Sequence, residues 1–228
     1  MRVLVSDDIL ADAAQWPDLE TLLDCARRNR CYVDVLNPES AAANPWFNQA
    51  DSRRKQEWTN VLDWAVKDSA LYRLNTVVAA THDDPSACPH ARIKLSETLE
   101  LVDQAYVLWV ENDRNDRRFL LAMMHPEQRA MLRTWESRRV IQINSRGGLG
   151  ELRVALEELF GRGALDPRKN RALFDSDAEA PGHPSRDASA MTEFCQKVGI
   201  RSHCLTRRAI ENYIPLKALW NWVYAVGG

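Results

Sequence analysis

The chain has 228 residues, 45% hydrophobic and 27% charged, with a formal charge of −2 from 30 basic and 32 acidic side chains. That length suits one large domain or a domain with an appended half, and the composition excludes collagen-like, mucin-like and wholly disordered chains. No apolar run approaches the roughly 20 residues of a bilayer span. The stretch Met1 to Asp8 carries no signal-peptide core, so a cytoplasmic protein without membrane association is expected.

Short β-branched runs alternate with longer helical stripes, which predicts an α/β sheet. Arg2–Val5 reads as a strand, 18–28 as a helix and 31–36 as a strand. Residues 37–52, rich in Asn, Pro, Ala and Ser, read as a loop. Residues 54–74 carry a helical apolar stripe at Trp58, Val61, Leu62, Ala65 and Val66. Thr76–Ala80 is a strand, 82–89 a loop, and 96–103 a short helix capped by Ser96, with Leu99 and Val102 facing inward. Strands are then predicted at 105–110, 139–143, Asn170–Phe174 and 200–204. Helices are predicted at 116–124, 126–137, from Gly147 to Phe160, at 187–198 with Gly199 as the stop, at 207–213 and at 216–224. The order from residue 105 is β-α-β-α-β-α-β, and right-handed crossovers make it a mainly parallel four-stranded sheet flanked by helices. Residues 1–104 form an N-terminal α/β segment, and 105–228 a second domain.

Charge is uneven along the chain. Residues 1–105 hold 11 basic and 17 acidic side chains, a net of −6, whereas 106–228 hold 19 and 15, a net of +4. Arginine supplies 24 of the 30 cations, a bias that suits bidentate phosphate contacts and equally a GC-rich genome. The five cysteines are odd in number and form no CxxC, so buried free thiols are expected rather than disulfides. A zinc set drawn from Cys88, His90, Cys195, His203 and Cys204 matches no common spacing. Most of the eight tryptophans belong in the core, with Trp220 and Trp222 as interface candidates.

In parallel sheets, functional groups gather beyond the carboxyl ends of the strands. The strand 105–110 runs into Glu111-Asn112-Asp113, with Asp116 following, and Asn170–Phe174 runs into Asp175-Ser176-Asp177. In an extended chain Asp175 and Asp177 face the same side. Carboxylates crowded in this way repel unless a divalent cation relieves them, and an all-oxygen set suits Mg2+ or Mn2+. Such ions neutralise charge and activate water at a phosphodiester. The turn Gly147-Gly148-Leu149-Gly150 offers a helix N-terminus to phosphate but lacks the Gly-Lys-Ser/Thr ending of a P-loop. Arg138, Arg139 and Arg146 flank one strand and are placed to track a nucleic-acid backbone. His183 and His125 read as a solvent-exposed residue and a turn residue.

Four stretches resemble a known family. Val107 to Leu120 resembles the apolar strand, acidic turn and following Asp of the Toprim catalytic domain, a fold shared by topoisomerases, bacterial primases and OLD-type nucleases. Gly147 to Leu152 is similar to its glycine-rich helix entry, and Ala172 to Asp177 to its DxD strand. Arg207-Arg208-Ala209-Ile210-Glu211-Asn212-Tyr213-Ile214-Pro215 resembles the R-x-I-E-N-Y segment of the anti-phage defence branch, the OLD-like and DUF4435 group. The resemblance spans about residues 105–220. Asn112 replaces the family's glycine, and the distance from Glu111 to Asp116 is one residue longer, which leaves Asp113 and Asp116 as alternatives for the second acidic ligand.

The resemblance implies a Toprim-like core and a Mg2+-dependent endonuclease. Glu111, Asp175 and Asp177 would hold metal, with Asp116 and Glu211 completing the catalytic set. Arg208 would meet phosphate or a site carboxylate, Arg146 is the other nucleic-acid contact, and Asn212 and Tyr213 are structural or functional. The protein would cut DNA or RNA as the toxic effector of an anti-phage system, alongside a separately encoded ATPase or sensor, and could form a homo-oligomer. The alternatives are a non-catalytic interaction subunit with the same fold, and primase-type nucleotidyl transfer, for which no template-binding module is visible.

Overall fold

A computed structural model describes residues 1–41, 44–69, 75–81, 90–178, 180, 182–213 and 217. The chain divides into two compact units, Met1–Gln104 and Ala105–Gly228. Each holds one four-stranded parallel sheet with helices around it, so the α/β class read from the alternating pattern holds.

The first unit runs β1 (Arg2–Val5), α1 (Asp7–Ala11), a 3-10 turn (Ala13–Gln15), α2 (Trp16–Arg27), β2 (Tyr32–Val35), α3 (Pro38–Ala41), α4 (Pro45–Gln49), α5 (Ser52–Ser69), β3 (Thr76–Ala80), β4 (Ala91–Lys94) and α6 (Leu95–Asp103). The strand order is β2-β1-β3-β4, all parallel. Val77 to Ala80 are buried on both faces, as an inner parallel strand requires. Helix α2 seals the sheet with Leu19, Leu22, Leu23 and Ala26, spaced three and four apart.

Three expectations for this unit change. Strand β4 was not foreseen, because Ala91-Arg92-Ile93-Lys94 is a half-exposed edge with no apolar run. The expected loop 37–52 contains α3 and α4. Pro45 opens α4, the Asn44 side chain accepts from the Trp46 N–H, and Trp46 packs edge-on against Trp58 with ring centroids 4.4 Å apart. Ser96 does not cap α6, which begins at Leu95 and buries Leu95, Thr98, Leu101 and Val102, leaving Leu99 half-buried. Residues 70–74 of the predicted helix, and the predicted loop 82–89, lie outside the described residues.

The second unit runs β5 (Tyr106–Val110), α7 (Asp113–Met123), α8 (Pro126–Ser137), β6 (Ile141–Ser145), α9 (Leu149–Gly161), β7 (Asn170–Phe174), α10 (Arg186–Val198), β8 (Arg201–Cys204) and a 3-10 turn (Ile210–Tyr213). The order β6-β5-β7-β8 repeats that of the first unit. One face packs Trp109, Ala172 and Phe174 under Leu149, Leu152 and Leu156 of α9 and Ala188, Met191 and Cys195 of α10. Helices α7 and α8 lie against β6.

Strand β6 starts two residues later than predicted. Arg139 adopts φ 55, and the Val140 N–H bonds the Trp135 carbonyl, so Arg139 and Val140 close α8 instead. Helix α7 starts at Asp113 rather than 116, capped by the Asn112 side chain. The predicted helix 207–213 is only the short 3-10 turn, and 216–224, with Trp220 and Trp222, lies outside the described residues apart from Lys217. Gly199 stops α10 in the left-handed region, φ 78. Gly148 precedes α9 at φ 131, where an L side chain is strained although a Cβ would meet nothing within 4 Å. Gly148→Ala should therefore cost about 1–3 kcal/mol in denaturant unfolding. Gly150→Ala, inside the helix, should be neutral or mildly stabilising.

In both units the chain crosses from the first strand one way and then back over it. The crevice between first and third strands at their carboxyl ends is thus a topological switch point. In the first unit Asp8 occupies it and is held ionised by neutral donors. Its carboxylate accepts from the Ser6 hydroxyl, from the Thr81 N–H at 2.9 Å and from the Thr81 hydroxyl at 2.5 Å. Burial works against the charge, but these bonds hold its pKa down at about 2. Because the folded value is depressed, the charge stabilises above the ordinary aspartate range, and this support fades as pH falls toward about 2. Asp8 is exposed, so screening limits the gain. Asp8→Ala should cost about 1 kcal/mol at pH 7 and flatten the acid limb of the stability curve.

Candidate functional site

The equivalent crevice of the second unit is different. Glu111 is the first residue beyond β5 and Asp175 the first beyond β7, on neighbouring strands paired through Val107–Asn170, Leu108–Arg171 and Trp109–Ala172. The Asp175 N–H donates to Glu111 Oε1 at 2.7 Å. Burial pushes the Glu111 carboxyl up to about 7; the Asp175 N–H opposes this, and the charges of Asp175, Asp177 and Asp116 add to it. Three of the predicted site carboxylates therefore act on a fourth, Glu111. Unlike Asp8, Glu111 is surrounded by negative charge.

Asp116 sits in the first turn of α7, where its Oδ2 accepts from the Asn112 N–H at 2.8 Å. That bond turns it back toward the β5 terminus. Nothing is described for the side chain of Asp113, nor for that of Glu211, the fifth predicted carboxylate.

The Asp175–Asp177 stretch is not extended. Asp177 adopts φ 46 and is exposed, whereas Asp175 is half-buried and Ser176 is 3% exposed. Simple alternation placing both aspartates on one side is thus corrected; the two reach Glu111 through a turn. That turn is tied to the segment after β8. Asp175 Oδ1 accepts from the Ile210 N–H at 3.0 Å, the Ser176 hydroxyl donates to the Arg207 carbonyl at 2.9 Å, and the Asp177 N–H donates to the Arg208 carbonyl at 2.9 Å. Within the segment, the Tyr213 hydroxyl accepts from the Thr206 and Arg207 N–H groups at 3.0 Å. The Arg207 guanidinium lies over the Tyr213 ring and bonds the Asn212 carbonyl. Tyr213, and Asn212 through its carbonyl, thereby have a structural role: they shape the segment that clamps the Asp175 turn.

The two predicted phosphate contacts separate. Arg146 follows β6 with its guanidinium 5.4 Å from the Trp109 ring, whose Nε1 donates to Asn170 at 2.8 Å. Arg208 is exposed and meets the site through its backbone carbonyl. Arg138 and Arg139 end α8, also exposed. His183 is exposed, and His125 is the N-cap of α8, its N–H donating to the Gln128 side chain at 3.1 Å.

Sequence reasoning missed Cys204, the last residue of β8, paired in register with Phe174. Burial and then the charges of Asp175, Glu111 and Asp177 raise its thiol pKa, which keeps it protonated beside the carboxylates. The strand-end rule applied to β8 would have found it. Cys31 and Cys195 are buried free thiols as expected, while Cys25 and Cys204 are only half-buried.

Glu111, Asp116, Asp175 and Asp177 form an oxygen-only donor set, the chemistry that suits a hard divalent cation. Among the described residues, no three His, Cys, Asp or Glu side chains already stand where they could hold a metal ion. No described helix is long and apolar enough to cross a membrane. Comparison with protein-family models, curated proteins and solved structures finds no match for this chain.

Proposed function

We propose that the second unit is a Toprim-like, Mg2+- or Mn2+-dependent endonuclease acting on DNA or RNA. The observation that carries this reading is Glu111, a desolvated carboxyl at the switch point with three further carboxylates acting on it. A cluster of this kind is costly without a counter-charge and costs far less with a cation. Glu111, Asp175 and Asp177 would hold the ion, which when bound supplies charge neutralisation and an activated water at a phosphodiester.

The chain's own residues do the rest. The Asp175 N–H fixes the Glu111 carboxyl, and the Ile210 N–H fixes Asp175. Before a cation binds, its raised pKa of about 7 lets Glu111 hold a proton at neutral pH, which it would release on becoming a ligand; acting as a general acid or base is the alternative role for the same carboxyl. Asp116, bonded to the Asn112 N–H, adds to the negative field. Arg146 and Arg208 are exposed cations of the same unit for the backbone of the substrate. A cytoplasmic anti-phage effector, working with a separately encoded ATPase or sensor, is the setting that the resemblance suggests.

The test is a cleavage screen of the full chain on plasmid, single-stranded DNA and tRNA, with and without Mg2+ or Mn2+. Metal-dependent cleavage that chelation abolishes is the expected result. The second reading is a non-catalytic interaction subunit with the same fold. No cleavage, together with no heat of Mg2+ or Mn2+ binding by calorimetry, would establish that reading instead.

A further inference from the structure

At the opposite end of the second sheet, two cations face each other. Arg171 on β7 and Arg201 on β8 are direct register partners in adjacent parallel strands, so their side chains rise side by side on one face. Arg171 Nη1 is tied to the carbonyls of Pro167 at 3.0 Å and Asn170 at 2.5 Å. That fixes the guanidinium, and among the described residues its other nitrogens make no hydrogen bond. Arg201 is exposed. Among the described residues neither guanidinium meets a carboxylate, while the nearby Arg168 is occupied by Asp166 at 2.6 Å. Burial and the Arg201 charge both pull the Arg171 pKa down, and only Tyr106 works the other way. Two guanidinium charges held side by side, with no carboxylate partner among the described residues, are unfavourable unless an anion bridges them.

We infer that Arg171 and Arg201 form a phosphate-binding site at the amino ends of β7 and β8. Two guanidinium forks side by side present parallel N–H donors to the oxygens of one phosphate, which a single lysine cannot do. The phosphate is a phosphodiester of the nucleic-acid substrate or a free phosphate. The first source rests on the nuclease reading above. Asp175, the first residue beyond β7, lies four residues on from Arg171, about 13 Å along the strand direction. That is about four stacked nucleotides of a single strand, so one strand could hold a phosphate at each end of β7.

The experiment uses the full chain in chelator, where cleavage plays no part, with Arg201→Gln as the main variant because Arg201 is exposed. A labelled single-stranded oligonucleotide of about 12 nucleotides spans both ends of the sheet. The variant should bind it about 5- to 10-fold more weakly, with the slope of log K against log salt reduced by about 1. In a parallel arm, inorganic phosphate should raise the melting temperature of the wild type and not of the variant. Without ligand the variant should melt no lower than the wild type, since it has lost a repulsion; a merely structural arginine would lower it. Loss in both arms assigns the site to the substrate backbone, and loss in the phosphate arm alone assigns it to a free phosphate. Unchanged binding in both arms overturns the proposal. A wild-type chain that binds phosphate through this pair but no oligonucleotide leaves the site standing and removes a single strand from the substrates of the nuclease reading, whose own failure is read in the cleavage screen.

Discussion

Glu111→Gln is expected to abolish metal-dependent cleavage, by about 100-fold or more, and at the same time to stabilise the protein at neutral pH. Both effects come from the same charge. Glutamine keeps an Oε1 to accept from the Asp175 N–H at 2.7 Å, so the local geometry survives. What disappears is a desolvated carboxylate among Asp175, Asp177 and Asp116. Because the folded pKa is raised from 4.5 to about 7, the wild type is favoured fully below the unfolded value and loses that support as pH climbs through about 7. Glu111 is half-buried, so after allowance for screening the loss is about 2 kcal/mol. Unfolding measured from pH 4 to pH 8 should show this decline in the wild type and not in the variant. Mg2+ should recover the lost stability in the wild type alone. A variant that cuts as fast as the wild type would remove Glu111 from the site.

Asp175→Asn should have a comparable effect on cleavage, again about 100-fold or more, with a second signature at a distance. The asparagine Oδ1 can still accept from the Ile210 N–H, so the clamp on the 207–213 segment is preserved. Removing the charge takes away the first of the three carboxylates that raise Glu111. The Glu111 titration, followed by carbon-detected NMR, should move down toward the ordinary glutamate range. An unshifted titration would mean that burial alone sets the Glu111 value and that the carboxylates do not act as a cluster. Asp175→Ala would lose both the charge and the clamp, so its extra loss of stability over Asp175→Asn measures the Ile210 bond.

Much of the architecture was legible from local pattern. Strand Asn170–Phe174 matches its predicted bounds because its side chains alternate between the covered face and the open one, and an acidic turn ends it. Helix Pro126–Ser137 matches because proline at the first turn and an amphipathic stripe are both local signals. The strand-end rule, applied to those elements, pointed to Glu111, Asp116, Asp175 and Asp177, whose charges do interact. What misled was also local. Asn44-Pro45 looked like loop chemistry, yet the same pair is a helix start once Trp46 has Trp58 to pack against.

By itself, then, the sequence determined the α/β class and the strands that carry carboxylates, because periodicity and turn chemistry act over a few residues. Tertiary structure decided everything that depends on register or on distant partners. It made Ala91–Lys94 a strand by offering it the free edge of β3. It turned Asp177 out of the extended conformation by bonding 175–177 to 207–210, some thirty residues away. It brought Cys204 to the carboxylates, and it set Arg171 beside Arg201. The same crevice holds an aspartate ionised by donors in the first unit and a glutamate pushed toward its protonated form by burial and neighbouring carboxylates in the second. A carboxylate's protonation depends on which donors and charges surround it in space, and no spacing along the chain encodes those neighbours.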